Sequence, residues 1–278
     1  MPADTYELFR LTLIERYQAD LFSTDIPSRE KYIQDTFSKR IEFDHYTMPY
    51  SYIPVSSELG TRIVVGKIGR AIKVPENSSP EEGFEEQLRD SWKAAVVAID
   101  PGSGVDGQKV AMLREQKLGR TFSVLKSLVK ELNIDISSPY TFEVMPIFSS
   151  QSFWEFAKQN KGSITSLTFD FVVPNGIWNT DSHIKEDLRS VREAMNAEEV
   201  ITTFKSEKGI ITDSPQVEEA MAYIDKGSGS AAAKTRDGKT FDSTTKSKRA
   251  IVEYERSASP RTALARALRS LAKILDHE

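Results

Sequence analysis

Cysteine is absent from the 278 residues. Disulfides, thiolate catalysis and Cys-ligated zinc are excluded with it. Histidine is scarce: His45, His183 and His277 are scattered, and no two stand at the helical spacing of a His-built metal site. No window approaches the roughly 18 consecutive apolar residues of a membrane-crossing helix. The N-terminal "MPADTYELFRLTLIERYQAD" is charged where a signal peptide is apolar. A cytoplasmic protein is expected, with no membrane insertion, no metal site and no cofactor. A general excess of positive charge is also missing, since 37 Lys and Arg face 41 Asp and Glu, for a net charge of −4.

What is present is a core-forming chain with uneven charge. Fourteen Phe, nine Tyr and three Trp provide enough large apolar side chains for one large domain or two modest ones. Between Glu76 and Asp90 lie six acids and one base, Arg89. From Ser228 to Glu278 there are eleven bases and six acids. Such asymmetry can outweigh net charge in selecting partners.

One stretch imitates a cofactor loop. In "IDPGSGVDGQKVAM", Gly102, Gly104 and Gly107 fit G-x-G-x-x-G behind the apolar run "AAVVAI". A dinucleotide site needs a helix to begin inside the motif, so that its first amides hold the pyrophosphate. Here β-favouring residues follow, and Asp106-Gly107 favours a tight hairpin turn. The expectation is two strands, "WKAAVVAID" and "QKVAML", joined by a turn.

The remaining chain suggests an α+β fold, a mostly antiparallel sheet with helices on one side and an N-terminal helical segment. Helices are expected over Glu7–Asp20, Arg29–Phe37, Arg120–Asn133 and "SFWEFAKQN". A charged helix is expected from Asp181 or Ser182 through "VITTFKSE", and a last one from Ser259 and Pro260. Strands are expected at "TRIVVGKIGRAIKV", with Gly66 and Gly69 marking a bend or bulge, at "TFEVMPIF", at "SITSLTFDFVVPN" and at "AIVEYE". Glu76–Asp90 reads as a loop leading into a short helical turn. A polar hairpin is expected about Asp237-Gly238. The corresponding division is an N-terminal helical segment over 1–40, a main domain over 41–226, and a basic hairpin with the C-terminal helix over 227–278.

The basic tail is the main functional signal. Lys234, Arg236 and Lys239 lie on the polar hairpin, and Lys246, Lys248 and Arg249 follow it. Arg266, Arg269 and Lys273 recur at three- and four-residue spacing opposite a stripe of Leu264, Leu268, Leu271 and Leu275. Cations spaced along a surface suit a phosphate backbone, whereas a solvated helix face explains them without function. Few aromatics interleave these bases, which favours backbone contact with a duplex over stacking on single strands. The leucines can dock on the core or on a twin helix.

Enzymatic readings find less purchase. Asp100 and Lys109 on the hairpin suggest a metal-dependent nuclease, but Gly107 stands where that pattern wants an acid or Gln. There is no G-x-S-x-G, Walker loop, H-E-x-x-H or EF-hand loop, and no catalytic residue is assigned.

From residue 94 onward, the order of features resembles the RexA-like prophage exclusion proteins and related phage-defence-associated proteins. A strand pair precedes "SVLKSLVKELN" and "TFEVMPIF". "SITSLTFDFVVPN", a charged helix, "GSGSAAAKTRDGKTFDSTTKSKRA" and a terminal helix follow. The resemblance implies a cytoplasmic homodimer that binds double-stranded DNA with little sequence preference and acts in phage exclusion. Two alternatives stand beside it. One is a divergent metal-dependent nuclease or nucleotide-acting effector. The other is a partner-docking subunit of a defence complex, using the acidic segment to bind a second defence protein.

Overall fold

The computed structural model describes residues 3–16, 26–55, 62–102, 108–172, 188, 190–191, 194–195, 197, 199–253 and 270–275. The chain is mostly β, with a curled antiparallel sheet shaped as a half-barrel. This replaces the α+β expectation.

The largest correction is at the N-terminus. No helix forms there; Ala3–Glu15 is strand β1. Both faces of this strand are buried. Phe9, Leu11 and Leu13 enter one cluster, and Tyr6 and Leu8 enter another. A strand buried on both sides loses its alternation and becomes a near-continuous apolar run, which periodicity cannot tell from a helix.

Beyond β1, the first sheet contains β2 (Ile41–His45), β3 (Met48–Pro54), β4 (Val64–Asn77), β5 (Glu86–Asp100), β6 (Gln108–Leu113), β7 (Tyr140–Pro146) and, from the far end of the chain, β12 (Arg249–Glu253). Their order is β12-β1-β6-β5-β4-β3-β2. β12 pairs with Ala3–Glu7 and β7 with Phe9–Glu15 of β1, while β6 pairs with Tyr6–Leu11. β12 and β7 therefore follow one another along the edge of β1 opposite β6.

The expected hairpin in place of a cofactor loop is borne out by pairing: Val97–Asp100 runs antiparallel to Lys109–Met112. Residues 103–107, which include Gly104 and Gly107, lie outside the described residues. No bulge interrupts β4. Its register with β5 is continuous from Val64↔Ile99 to Asn77↔Glu86. Gly66 has another reason: a Cβ there would lie 2.2 Å from the ring of Tyr52, which crosses it fully buried. The acidic stretch keeps the expected loop and short helical turn only at residues 78–85, and its two flanks are strand. It is the outer half of the β4–β5 ribbon, closed by a 3-10 turn at Pro80–Glu82.

Helices α1 (Arg29–Phe37) and α2 (Thr121–Leu132) cover one face of this sheet. Ser28 Oγ caps α1 by accepting from the Lys31 amide. Residues 270–275 are helical and cover the other face, where Leu271 and Leu275 join Tyr6, Leu8, Val65 and Ala111. Helices thus sit on both faces, not on one side. The leucine stripe docks on the core at these two positions, while Leu264 and Leu268 lie outside the described residues.

The second sheet, order β11-β10-β8-β9, contains β8 (Ile164–Val172), β9 (Glu199–Lys205), β10 (Gly229–Thr235) and β11 (Thr240–Asp242). Phe169, Phe171 and Leu167 of β8 pack with α3 (Gln151–Gln159) and α4 (Pro215–Asp225). β9 replaces the end of the expected charged helix. Its Val200, Ile201, Thr202 and Thr203 are β-branched and fit a pleated sheet better than a helix. Segment 227–278 is shared between the sheets: β10 and β11 extend the second, and β12 joins the first. Main-chain bonds from Leu8 N to Lys248 O and from Ile147 N to Leu8 O tie the crossing chains together.

Candidate polyanion-binding cleft

A cleft of about 460 Å³ opens where the β1 edge, the start of α2 and the β11–β12 connection meet. Arg114, Arg120 and Arg249 line it, with Glu7, Phe122 and the hydroxyl residues Thr121, Thr244, Thr245 and Ser247. Each arginine arrives by a different route. Arg114 leaves the end of β6, its amide bonded to Thr5 O at 2.9 Å. Arg120 is the N-cap of α2, reached through Gly119, whose φ of 95° turns the chain into the helix. Arg249 begins β12 opposite Glu7 of β1.

The charge balance within the cleft is cationic. Glu7 lies 4.0 Å from Arg114 and 3.9 Å from Arg249, so one carboxylate is shared between two guanidinium groups. Both guanidinium groups stay about half exposed, and Arg120 is exposed. No side chain caps α2, which leaves its first-turn amides and the positive end of its dipole beside Arg120. Guanidinium forks, hydroxyls and helix-start amides are the donor types that hold phosphate oxygens.

The sequence-derived cations distribute unevenly around this cleft. Arg249 lines it, and Lys246 and Lys248 are close to it in sequence, with Lys246 exposed and Lys248 half-buried. Lys234 is exposed on β10, on the outer face of the second sheet; Ser166 lies opposite it on β8 and Lys205 opposite Ser166 on β9. Arg236 donates to Glu207 O, and Lys239 pairs with Asp237 at 2.9 Å, so both are engaged at the hairpin tip. Lys273 is exposed on the terminal helical residues. Arg266 and Arg269 lie outside the described residues. Sequence reasoning missed Arg114 and Arg120 because both lie far upstream of the basic tail that begins at Ser228. The only local sign was a Gly-Arg-Thr step ahead of an amphipathic helix.

Other chemistry finds weaker support. Asp100 faces Lys109 across the β5–β6 register, but both its oxygens accept from Arg62, at 2.8 Å each, and Oδ1 also accepts from Gly102 N. Both oxygens of Asp100 are thus engaged by Arg62. Among the described residues no group of three or more metal-capable side chains occurs. His45 Nδ1 lies 2.8 Å from Ser127 Oγ, but the ring is buried between Tyr46 and Tyr50, and burial lowers its pKa. It is a hydrogen-bonded core histidine. A second cavity of about 540 Å³ between β8, β9 and α4 is walled by Leu167, Phe169, Phe204 and Val217, with no titratable group among the described residues that line it.

Among the described residues, one carboxyl is strongly raised. Asp170 on β8 is pushed up to about 7, first by burial and then by the charge of Glu199. A carboxyl whose folded value exceeds its unfolded value of 3.8 takes up a proton on folding, so stability is full below about pH 4 and falls as pH rises toward 7. Asp170→Asn should therefore gain about 2 kcal/mol at pH 8, after discount for partial exposure, and nothing at pH 4. Urea unfolding at the two pH values measures this; equal effects at both would assign the gain to something other than the proton.

No family model, curated protein or solved structure matches the chain. Among the described residues, no helix is long and apolar enough to cross a membrane.

Proposed function

We propose that this protein binds double-stranded DNA without sequence preference, as part of a prophage-exclusion or phage-defence system, and that the arginine cleft anchors the phosphate backbone. The observation that carries the reading is the meeting of Arg249, from the basic tail, with Arg114 and Arg120 in one concave site. Lys246, three residues before Arg249, adds an exposed cation suited to a neighbouring phosphate. The defence role rests on the sequence resemblance alone.

The test is fluorescence anisotropy on unrelated duplexes across a salt series. Affinity should be alike for all duplexes and should fall steeply with salt. Arg114→Gln/Arg120→Gln/Arg249→Gln should weaken binding about 10- to 100-fold near 0.1 M salt and flatten the log–log salt slope by about 2 to 3. A folded triple variant that binds as tightly as the parent, with the same slope, would remove the cleft from the interface. Absence of binding at low salt would remove the function.

A further inference from the structure

The β4–β5 ribbon leaves the body as an arm. Its base is tied down by Arg70, which donates to Lys117 O through Nε and Nη2 at 3.1 and 2.7 Å, and by Lys93, 3.8 Å from Glu115. From Arg70↔Lys93 the register runs unbroken for seven residues to Asn77↔Glu86. At about 3.3 Å per residue the tip stands roughly 23 Å from its base. Nothing in that ladder provides a hinge.

The tip is built, not loose. Ser78 N bonds Glu85 O, Glu82 N and Phe84 N bond Ser79 O, and Gly83 N bonds Pro80 O. Phe84 takes a φ of 58°, a left-handed conformation that costs a bulky residue, and its ring is 62% exposed. Glu81, Glu82, Glu85 and Glu86 surround it, all exposed. Among the described residues, none covers the ring.

The arginine cleft is the complement to this tip. The arginine cleft has three guanidinium groups for the carboxylates, and Phe122 offers an apolar surface to an aromatic ring. A chain cannot fill its own cleft this way. Gln116 and Gly119 of the cleft flank Lys117, to which the arm's base is bonded, so the tip points some 23 Å away from it.

We infer that the acidic arm of one copy inserts its Phe84 tip into the arginine cleft of a second copy, and that the exchange is reciprocal. Because each cleft sits at the base of its own arm, two antiparallel arms place each tip at the other's cleft, a closed two-fold arrangement. The carboxylates then occupy the positions the DNA reading gives to phosphates. The dimer so formed is the state that excludes DNA; this competition rests on the function proposed above, whereas the association itself does not.

The test uses two full-length charge-reversed variants, checked for folding by circular dichroism. One carries Glu81→Lys/Glu82→Lys/Glu85→Lys, the other Arg114→Glu/Arg120→Glu/Arg249→Glu. Sedimentation velocity at low salt, without DNA, should show a dimer for the parent and a monomer for each variant. An equimolar mixture of the two variants should regain the dimer, because each reversed arm or cleft then meets an opposite charge. A monomeric parent, a variant that still dimerises alone, or a mixture that stays monomeric overturns the proposal. If the cleft reversal misfolds, Phe84→Ser with the arm reversal supplies the monomer test. Duplex titration is read separately: the arm-reversed monomer should bind DNA at least several-fold more tightly than the parent. Failure to bind DNA with association intact sinks the DNA reading and leaves the arm contact standing.

Discussion

Gly66→Val is expected to abolish stable folding, or to lower stability by at least about 3 kcal/mol. A Cβ at residue 66 would sit 2.2 Å from Tyr52 Cε2 and 2.4 Å from its hydroxyl oxygen. Tyr52 has no room to yield. It is fully buried, its hydroxyl donates to Phe37 O at 3.0 Å, and its ring meets Phe37 edge-on at 5.4 Å. Displacing it would open the packing between α1 and the sheet. Urea denaturation followed by far-ultraviolet circular dichroism measures the loss. Tyr52→Phe/Gly66→Val should not recover it, since the clash is mainly with the ring. Near-parental stability in Gly66→Val would mean that the ring does not cross the glycine.

Asp100→Ala should cost about 3 kcal/mol, a fall in Tm of roughly 6–10 °C. The carboxylate is buried, holds Arg62 through two bonds and accepts from Gly102 N. Across the register it stands opposite buried Lys109, whose Nζ donates to Leu275 O at 2.9 Å. Without the anion, Arg62 loses its two-bond partner and the Gly102 amide its acceptor at a buried position. Asp100→Asn, which retains one acceptor oxygen, should lose less than Asp100→Ala. If calorimetry showed the alanine variant within about 1 kcal/mol of the parent, the buried charge row would be balanced by other groups.

The same row shows what became of the sequence motifs. Gly102, Asp100 and Lys109 looked like parts of a cofactor loop or a nuclease hairpin. Pairing shows them to be a structural join between β5, β6 and the terminal helical residues. Strand formers on both sides of the glycines pair as β5 and β6, so no helix starts at Gln108 to bind a phosphate.

Local order accounts for most of what the sequence determined by itself. Arg29–Phe37, Thr121–Leu132 and Gln151–Gln159 are helices where apolar spacing places them, and of the three only the first has a side-chain N-cap. β8 is a strand by strict alternation, and the Asp237-Gly238 hairpin forms, with Gly238 at a φ of 85°. The tertiary structure alone decided the rest. β1 became a strand because three partners and two cores claim it, a fact that no window of its own residues contains. The acidic stretch became an arm through continuous pairing of β4 with β5. The candidate site needed Arg114 and Arg120 brought to Arg249, and only the closure of β12 onto β1 does that. Periodicity reports which faces of a segment are apolar. It carries no information on which distant segment will pair with it, and here that pairing builds the site.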